Sequence, residues 1–276
     1  MLTCLAMVAF AANSILTRQA LTEPVIDPVS FGTARVIAGA LMLAVLVRLQ
    51  RGQLGFRLAD WPAAFALFGY VVFFSYAYLT LASGTGALIL FGAVQITMFG
   101  WAINKGERLG TAGWFGLCLA FLGLVWLVLP GVTAPDLCGA AMMALAGIAW
   151  GVYSLRGQGA GNPLNATAIN FIAVAPLMLL LLLAAQAAGA DLKVSMAGLL
   201  LAFASGALAS GCGYAMWYAA LPMLGTGKAA IVQLSVPVIA AFGGVLLLAE
   251  PLTSRLLVAS MMVLGGVLVA LRQKER

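Results

Sequence analysis

The chain predicts an all-α polytopic membrane protein, with ten transmembrane helices arranged as two inverted five-helix repeats. Three observations carry this expectation. Only 8% of the 276 residues are charged and 64% are hydrophobic, whereas a soluble domain needs about 25% charged residues to cover its surface. The apolar runs are about 20 residues long, the length that crosses roughly 30 Å of hydrocarbon. The two halves also repeat one another's landmarks in the same order. A transmembrane β-barrel would show short alternating strands, and a mean hydropathy of +1.10 spread over long runs gives none.

The spans fall near 2–20, 29–47, 61–81, 84–103, 111–129, 137–156, 165–186, 197–220, 226–248 and 254–271. The first has no basic segment before it and no cleavage signal after it, so it reads as a span and not a leader; it carries a polar stripe of Asn13, Ser14 and Thr17. The second opens at Pro28 and holds Arg35. The third places Phe74, Tyr78 and Leu81 on one face by i, i+4, i+7 spacing. The fourth follows Gly84-Thr85-Gly86, with Gln95 midway and Thr97 and Trp101 on a shared face. The fifth leads to a short connection. The sixth groups Trp150, Tyr153 and Ser154. The seventh contains Pro176, a kink. The eighth carries the small-residue stripes Ala202, Gly206, Ser210 and Ser205, Ala209, Gly213, which let helices approach closely. It then adds Tyr214, Trp217, Tyr218 and Leu221. The ninth follows Gly225-Thr226-Gly227 and bears Gln233 and Pro237, a kink placed to hinge. The tenth runs to a basic tail. Connections are short, so no soluble domain is attached.

Basic residues sit at span ends and not on a water-facing patch, which argues against nucleic acid as a partner. With the first residue cytoplasmic, the inside loops collect Arg48, Arg51, Arg57, Lys105, Arg108, Arg156, Lys228, Arg272, Lys274 and Arg276. The outside loops collect only Arg18, Lys193 and Arg255, beside Glu23, Asp27, Asp136, Asp191 and Glu250. The positive-inside rule then places both termini in the cytoplasm and the chain in the cell's inner (plasma) membrane. Cys4, Cys118, Cys138 and Cys212 form no CxxC pair and read as small apolar-segment residues.

The duplication follows from alignment. Phe74, Tyr78 and Leu81 match Tyr214, Tyr218 and Leu221 at an offset of 140, and the two Gly-Thr-Gly turns match at 141. The segment from Gly106 matches that from Ala249 at an offset of 143, as does Gly123 with Gly266. Pro28 to Arg35 matches Pro163 to Asn170 at 135, the drifts being those of loop insertions. The units are 1–131 and 132–276. Five crossings end on the side opposite their start, so the second copy enters the membrane upside down. Inverted repeats are a transporter device, with the solute held at the midplane between halves that rock.

Two five-helix repeats with short loops, Pro28 to Arg35, Glu107 and Glu250 after the fourth helix of each repeat, and Pro237 thirteen residues before Glu250 resemble the drug/metabolite transporter superfamily, EamA type. The resemblance spans the chain and implies a transporter, with export its direction. The aromatic lining further resembles YddG-type exporters of aromatic amino acids. One departure is Val94 at the position thirteen residues before Glu107, where the second repeat has a proline.

The residues expected to bind substrate are Asn13, Tyr78, Gln95, Trp101, Trp150, Tyr153, Tyr214, Trp217, Tyr218 and Gln233. Tyr and Trp also build the interfacial belt, and Gln also glues helices together, so each residue has a second reading. Arg35 and Lys228 approach the interior, where a cation either attracts a substrate carboxylate or snorkels to the interface. With no His and no mid-span acid, the chain lacks the usual proton carrier. It equally lacks the parts of an intramembrane enzyme or a metal site, and "GTGK" is too short for a P-loop. The expected function is a secondary transporter of small amphipathic metabolites, aromatic amino acids foremost, with no cofactor, acting as a monomer in the lipid bilayer. Efflux of cationic drugs and a non-transporting scaffold are the alternatives.

Overall fold

The computed structural model describes residues 1–22, 25–50, 60–106, 110–131, 134–157, 161–220 and 232–274. These form α1 (Leu2–Thr22), α2 (Pro28–Leu49), α3 (Trp61–Ala77), α4 (Ser83–Asn104), α5 (Thr111–Val128), α6 (Leu137–Gly157), α7 (Pro163–Ala187), α8 (Met196–Ala220), α9 (Ser235–Leu248) and α10 (Ser254–Lys274). Seven of them, α1, α2 and α4 to α8, are long and apolar enough to cross a membrane. Shorter apolar helices are α3, α9 and the stretch Ser254–Ala270 of α10. Part of the ninth span, the second Gly-Thr-Gly turn, Lys228 and Glu107 lie outside the described residues. Large apolar side chains such as Phe65, Phe115, Leu180, Leu200, Phe242, Leu246 and Met261 face outward, as a hydrocarbon solvent permits.

Helix starts follow from local chemistry. Asp27 accepts from the Val29 and Ser30 backbone N–H groups at 3.0 and 2.9 Å, with Pro28 in the first turn. Asn162 does the same for Asn165 ahead of Pro163. Side-chain oxygens satisfy amides that no preceding turn can reach, and proline fits a first turn because its missing N–H is not needed there. Asp60 caps α3 and Ser195 caps α8. The pairs 27/162 and 60/195 share one offset, 135. The offset reaches 140 at Tyr78 and Tyr218, so this part of the drift lies inside a helix and not in a loop. Between Ser195 and Tyr218, α8 winds as a π-helix over Ala204–Cys212.

Pro237 lies in the first turn of α9, and the chain turns at Leu234 just before it. Proline has no N–H for the carbonyl four residues back, that of Gln233. Ser235 Oγ donates to the Val232 carbonyl at 2.7 Å across this break. Pro176 is tolerated within α7.

Packing pairs exchange into one another when each helix is replaced by the one five places away. α5 packs on α10, α2 on α7 and α4 on α9; α3 on α6 mirrors α8 on α1, and α4 on α6 mirrors α9 on α1. The ends of α1, α3, α5, α7 and α9 gather on one face. Arg18 donates to the Tyr78 and Leu79 carbonyls at 2.9 and 3.0 Å. Ser195 N donates to Val25 O at 2.9 Å and Asp27 N to Lys193 O at 2.8 Å. Thr80 Oγ1 donates to Asp136 at 3.1 Å, and Arg255 to the Leu129 carbonyl. On the opposite face Arg156 meets Asp60. Thus α1 runs toward the first face, while α6 starts there and runs away from it.

Candidate functional site

Asn13, Ser14, Tyr70, Tyr214 and Gln233 meet at one place. A cavity of about 30 Å³ is lined by Phe10, Asn13 and Ser14 of α1, Tyr70 and Phe74 of α3, Leu90 and Phe91 of α4, Trp150 of α6, Ala209 and Tyr214 of α8, and Gln233 beside the α9 break. That volume holds about two waters. Both halves of the chain contribute.

Its wall is aromatic. Trp150 stacks on Tyr214 with centroids 5.4 Å apart and planes at 19°, and meets Tyr70 at 4.9 Å and Tyr153 at 5.3 Å in tilted contacts. Tyr214 continues to Phe10 at 5.7 Å and Tyr218 at 6.5 Å, and Phe10 to Trp217 at 6.1 Å. Tyr70 contacts Phe74, which meets Tyr78 edge-on at 4.8 Å. Offset and edge geometries put ring edges on ring faces, worth about 0.5–1.5 kcal/mol per pair beyond burial.

A polar line crosses this wall. Ser205 Oγ donates to Asn13 Oδ1 at 2.5 Å, and Asn13 Nδ2 donates to the Tyr70 hydroxyl at 3.3 Å. Arg35 Nη2 donates to the same hydroxyl at 2.9 Å. Arg35 is 1% exposed, so it does not snorkel. Tyr70, its partner, is itself 4% exposed.

Of the ten expected site residues, Asn13, Trp150, Tyr214 and Gln233 line the cavity, and Tyr78, Tyr153, Trp217 and Tyr218 join them through ring contacts. Tyr78 is fully buried, with its hydroxyl donating to Ser83 O at 3.4 Å. Tyr218 receives a bond from Thr167 at 3.3 Å. Gln95 is buried in α4 outside the cavity lining, its Nε2 without a partner. Trp101 is not brought to the cavity: it is 48% exposed, with the Lys105 ammonium over its ring at 5.2 Å. Its position in the last turn of α4 suits an interfacial anchor.

Phe10 and Tyr70 complete the wall without having been singled out in the sequence. Tyr70 had a signal, since 70, 74 and 78 continue one face at steps of four. The Gly-Thr-Gly at 84–86 has a packing reason: a Cβ at Gly86 would stand 2.5 Å from the Tyr78 ring. No cluster able to hold a metal occurs among the described residues.

Residues 137–272 match the EamA-like transporter family. An uncharacterized protein of Pseudomonas aeruginosa is 52% identical over 271 residues, 98% of this chain and 93% of its own. An uncharacterized transporter of Archaeoglobus fulgidus is 26% identical over 258 residues, 90% of each chain. One solved crystal structure shares the fold, with a TM-score of 0.70 at 18% identity, covering 99% of this chain and 98% of the other. With its long apolar helices and this match, the protein is a multi-pass membrane protein whose residues 137–272 are similar to the EamA-like transporter family.

Proposed function

We propose that the chain is a secondary transporter that exports small amphipathic metabolites, aromatic amino acids foremost, by alternating access between two inverted five-helix repeats of the drug/metabolite transporter superfamily. The observation that carries this reading is the aromatic cavity itself, walled by α1, α3 and α4 from one half and by α6, α8 and Gln233 from the other. A site shared by two halves is emptied or filled when the halves rock. The exchange of packing pairs at a spacing of five helices supports the repeat, and so do the opposed directions of α1 and α6. A finer image adds to this: Gly123 packs against Val263, and Gly266 against Ala120, each pair being the other shifted by 143 residues. The cavity at about 30 Å³ is smaller than an amino acid, which suits an occluded arrangement that widens when the halves move.

One face is locked. Glu250 accepts from Ser83 N–H and stands 3.4 Å from Arg18, joining α1, α4 and α9. By the basic-residue count this is the outer face, and both termini are cytoplasmic. The protein then works as a monomer in the inner membrane, since both halves of the site are in one chain. A scaffold has no use for a walled cavity between two halves. Efflux of cationic drugs suits aromatic rings but not the buried cation at Arg35.

Counterflow in proteoliposomes tests the reading. Vesicles preloaded with unlabelled L-phenylalanine or L-tryptophan should concentrate the labelled amino acid, and protein-free vesicles should not. Equal uptake in both, across amino acids, nucleobases and cationic dyes, sinks the transporter reading.

A further inference from the structure

Arg35 carries a charge that no described residue balances with an ion pair. Its guanidinium cannot be deprotonated, and the side chain is 1% exposed in α2. Nη2 reaches the Tyr70 hydroxyl, while Nε and Nη1 have no hydrogen-bond partner among the described residues. The guanidinium carbon lies 4.9 Å from the Phe74 ring centroid and 5.2 Å from that of Tyr70. The ion pairs among the described residues join Arg18 to Glu250, Arg156 to Asp60 and Lys193 to Asp191, and none includes Arg35. A buried lone charge is costly, and ring faces return only part of that cost.

The second observation is the donor set between Arg35 and the cavity. The Tyr70 hydroxyl accepts from both Arg35 and Asn13. Both lone pairs are then used, and its own O–H is a donor with no acceptor among the described hydrogen bonds. Tyr70 and Asn13 line the cavity, and the two rings beneath Arg35 are the Tyr70 and Phe74 rings of its wall. A phenol proton, an amide and a cation on one side of an aromatic pocket want an acceptor with negative charge.

We infer that the cavity binds the carboxylate of its solute, with Tyr70 and Asn13 as the direct donors and Arg35 as the balancing charge behind them. This rests on the transporter reading and narrows it. The solute is an aromatic acid or zwitterion, and a solute whose only charge is positive is rejected. Arg35 is a positioning residue: it fixes the Tyr70 hydroxyl as a donor and sets the sign of the field.

The test uses the full chain in nanodiscs with four probes: 3-phenylpropionate, L-phenylalanine, 2-phenylethylamine and neutral 3-phenylpropanamide. Tryptophan fluorescence reports binding beside Trp150, and melting temperature reports folding. The two carboxylates should bind at least tenfold more tightly than the amine and the amide. Arg35→Gln should weaken the carboxylates at least tenfold and the amide less than threefold. Tyr70→Phe keeps the ring under Arg35 and should weaken the carboxylates several-fold; if Arg35→Gln does not fold, Tyr70→Phe and Arg35→Lys decide. Three results overturn the inference: amine or amide binding as tight as carboxylate, no carboxylate binding, or variants that melt early yet keep carboxylate affinity. Carboxylate binding without counterflow refutes the transporter reading and leaves the anion site. Counterflow that prefers the amine does the reverse.

Discussion

Both carboxylate oxygens of Glu250, at the end of α9, accept the backbone N–H of Ser83 at the start of α4, at 3.1 and 2.8 Å. A carboxylate is at its best at a helix N-terminus, where unpaired amides and the helix dipole both favour negative charge. Arg18 adds a cation 3.4 Å away and holds the Tyr78 and Leu79 carbonyls just past the end of α3. Glu250 thereby joins α9 to α4 directly and to α1 through Arg18.

Glu250→Gln should loosen that junction. A hydrogen bond to a charged group is worth about 1.5–3 kcal/mol, and the amide keeps shape but not charge. In a background lacking the four native cysteines, Ser14→Cys on the cavity wall should react with an impermeant thiol reagent from outside several-fold faster with Glu250→Gln than without it. Unchanged labelling means that the lock does not gate access.

Orientation is the next expectation. Asp191 and Lys105 are exposed at opposite ends of the bundle. In whole cells Asp191→Cys should be labelled by the impermeant reagent and Lys105→Cys should not. These positions are preferable to Gly189 and Gly106, which adopt φ of 77° and 88° and would strain any side chain. The reverse labelling pattern would place the termini outside.

The contact between α5 and α10 depends on two glycines. A Cβ at Gly266 would stand 2.5 Å from the Gly116 carbonyl oxygen, and one at Gly116 would meet the Gly266 oxygen. The obstacle is backbone, so the helices have to part. Gly266→Ala should lower stability by about 1–3 kcal/mol. Its neighbour Gly265 has open space around its Cβ position, and Gly265→Ala should be neutral or stabilise by up to about 1 kcal/mol. Comparable melting temperatures for the two variants would refute this packing.

Much of this was legible in the residues, for identifiable reasons. Helix spans are readable because hydrocarbon fixes their length, and Asp27 and Asn162 mark their starts because capping is local. Tyr78, Trp150, Tyr153, Tyr214, Trp217 and Tyr218 share one ring cluster because aromatic groups at steps of three and four residues hold one helical face. What the residues do not show is depth. Trp101 and Arg35 each have two allowed positions in a membrane helix, outward or inward. Their choice depends on neighbours distant in sequence: Lys105 covers Trp101 on the outside, while Tyr70 receives Arg35 within. The π-helical stretch of α8 escapes for a similar reason, since extra residues in a helix leave no compositional mark.

Asp60 gives a pH test. The Arg156 side chain donates three hydrogen bonds to it, at 2.9 to 3.2 Å, and these hold its carboxyl below the ordinary value. A depressed folded-state pKa contributes stability above the unfolded value near about 3.9, lost as pH falls through the folded one. Both side chains are about two-fifths exposed, so the contribution is about 0.2–1 kcal/mol. Asp60→Asn keeps an N-cap oxygen and removes the charge. It should melt slightly below the natural protein at pH 7, with the gap closing as pH falls below about 4. A gap of constant size would show that the charge is not its source.

The tryptophans rank the site. Trp150 lines the cavity, stacked on Tyr214 and tilted against Tyr70; Trp217 sits one ring away, against Phe10; Trp101 faces outward. If the solute's ring takes its place in this stack, Trp150→Ala should weaken binding by about 1–3 kcal/mol, the worth of a large apolar contact. Trp217→Ala should weaken it less, because Trp217 is outside the cavity lining, and should cost more in stability, because a buried ring leaves a cavity. Trp101→Ala should leave affinity unchanged and lower expression or melting temperature only. Gln233→Leu separates orientation from volume: it should hurt polar-headed solutes more than apolar ones. Affinity and melting temperature measured on the same purified variants give both axes. If Trp150→Ala melts early yet binds L-phenylalanine normally, the aromatic wall is packing alone, and the solute path lies elsewhere in the bundle.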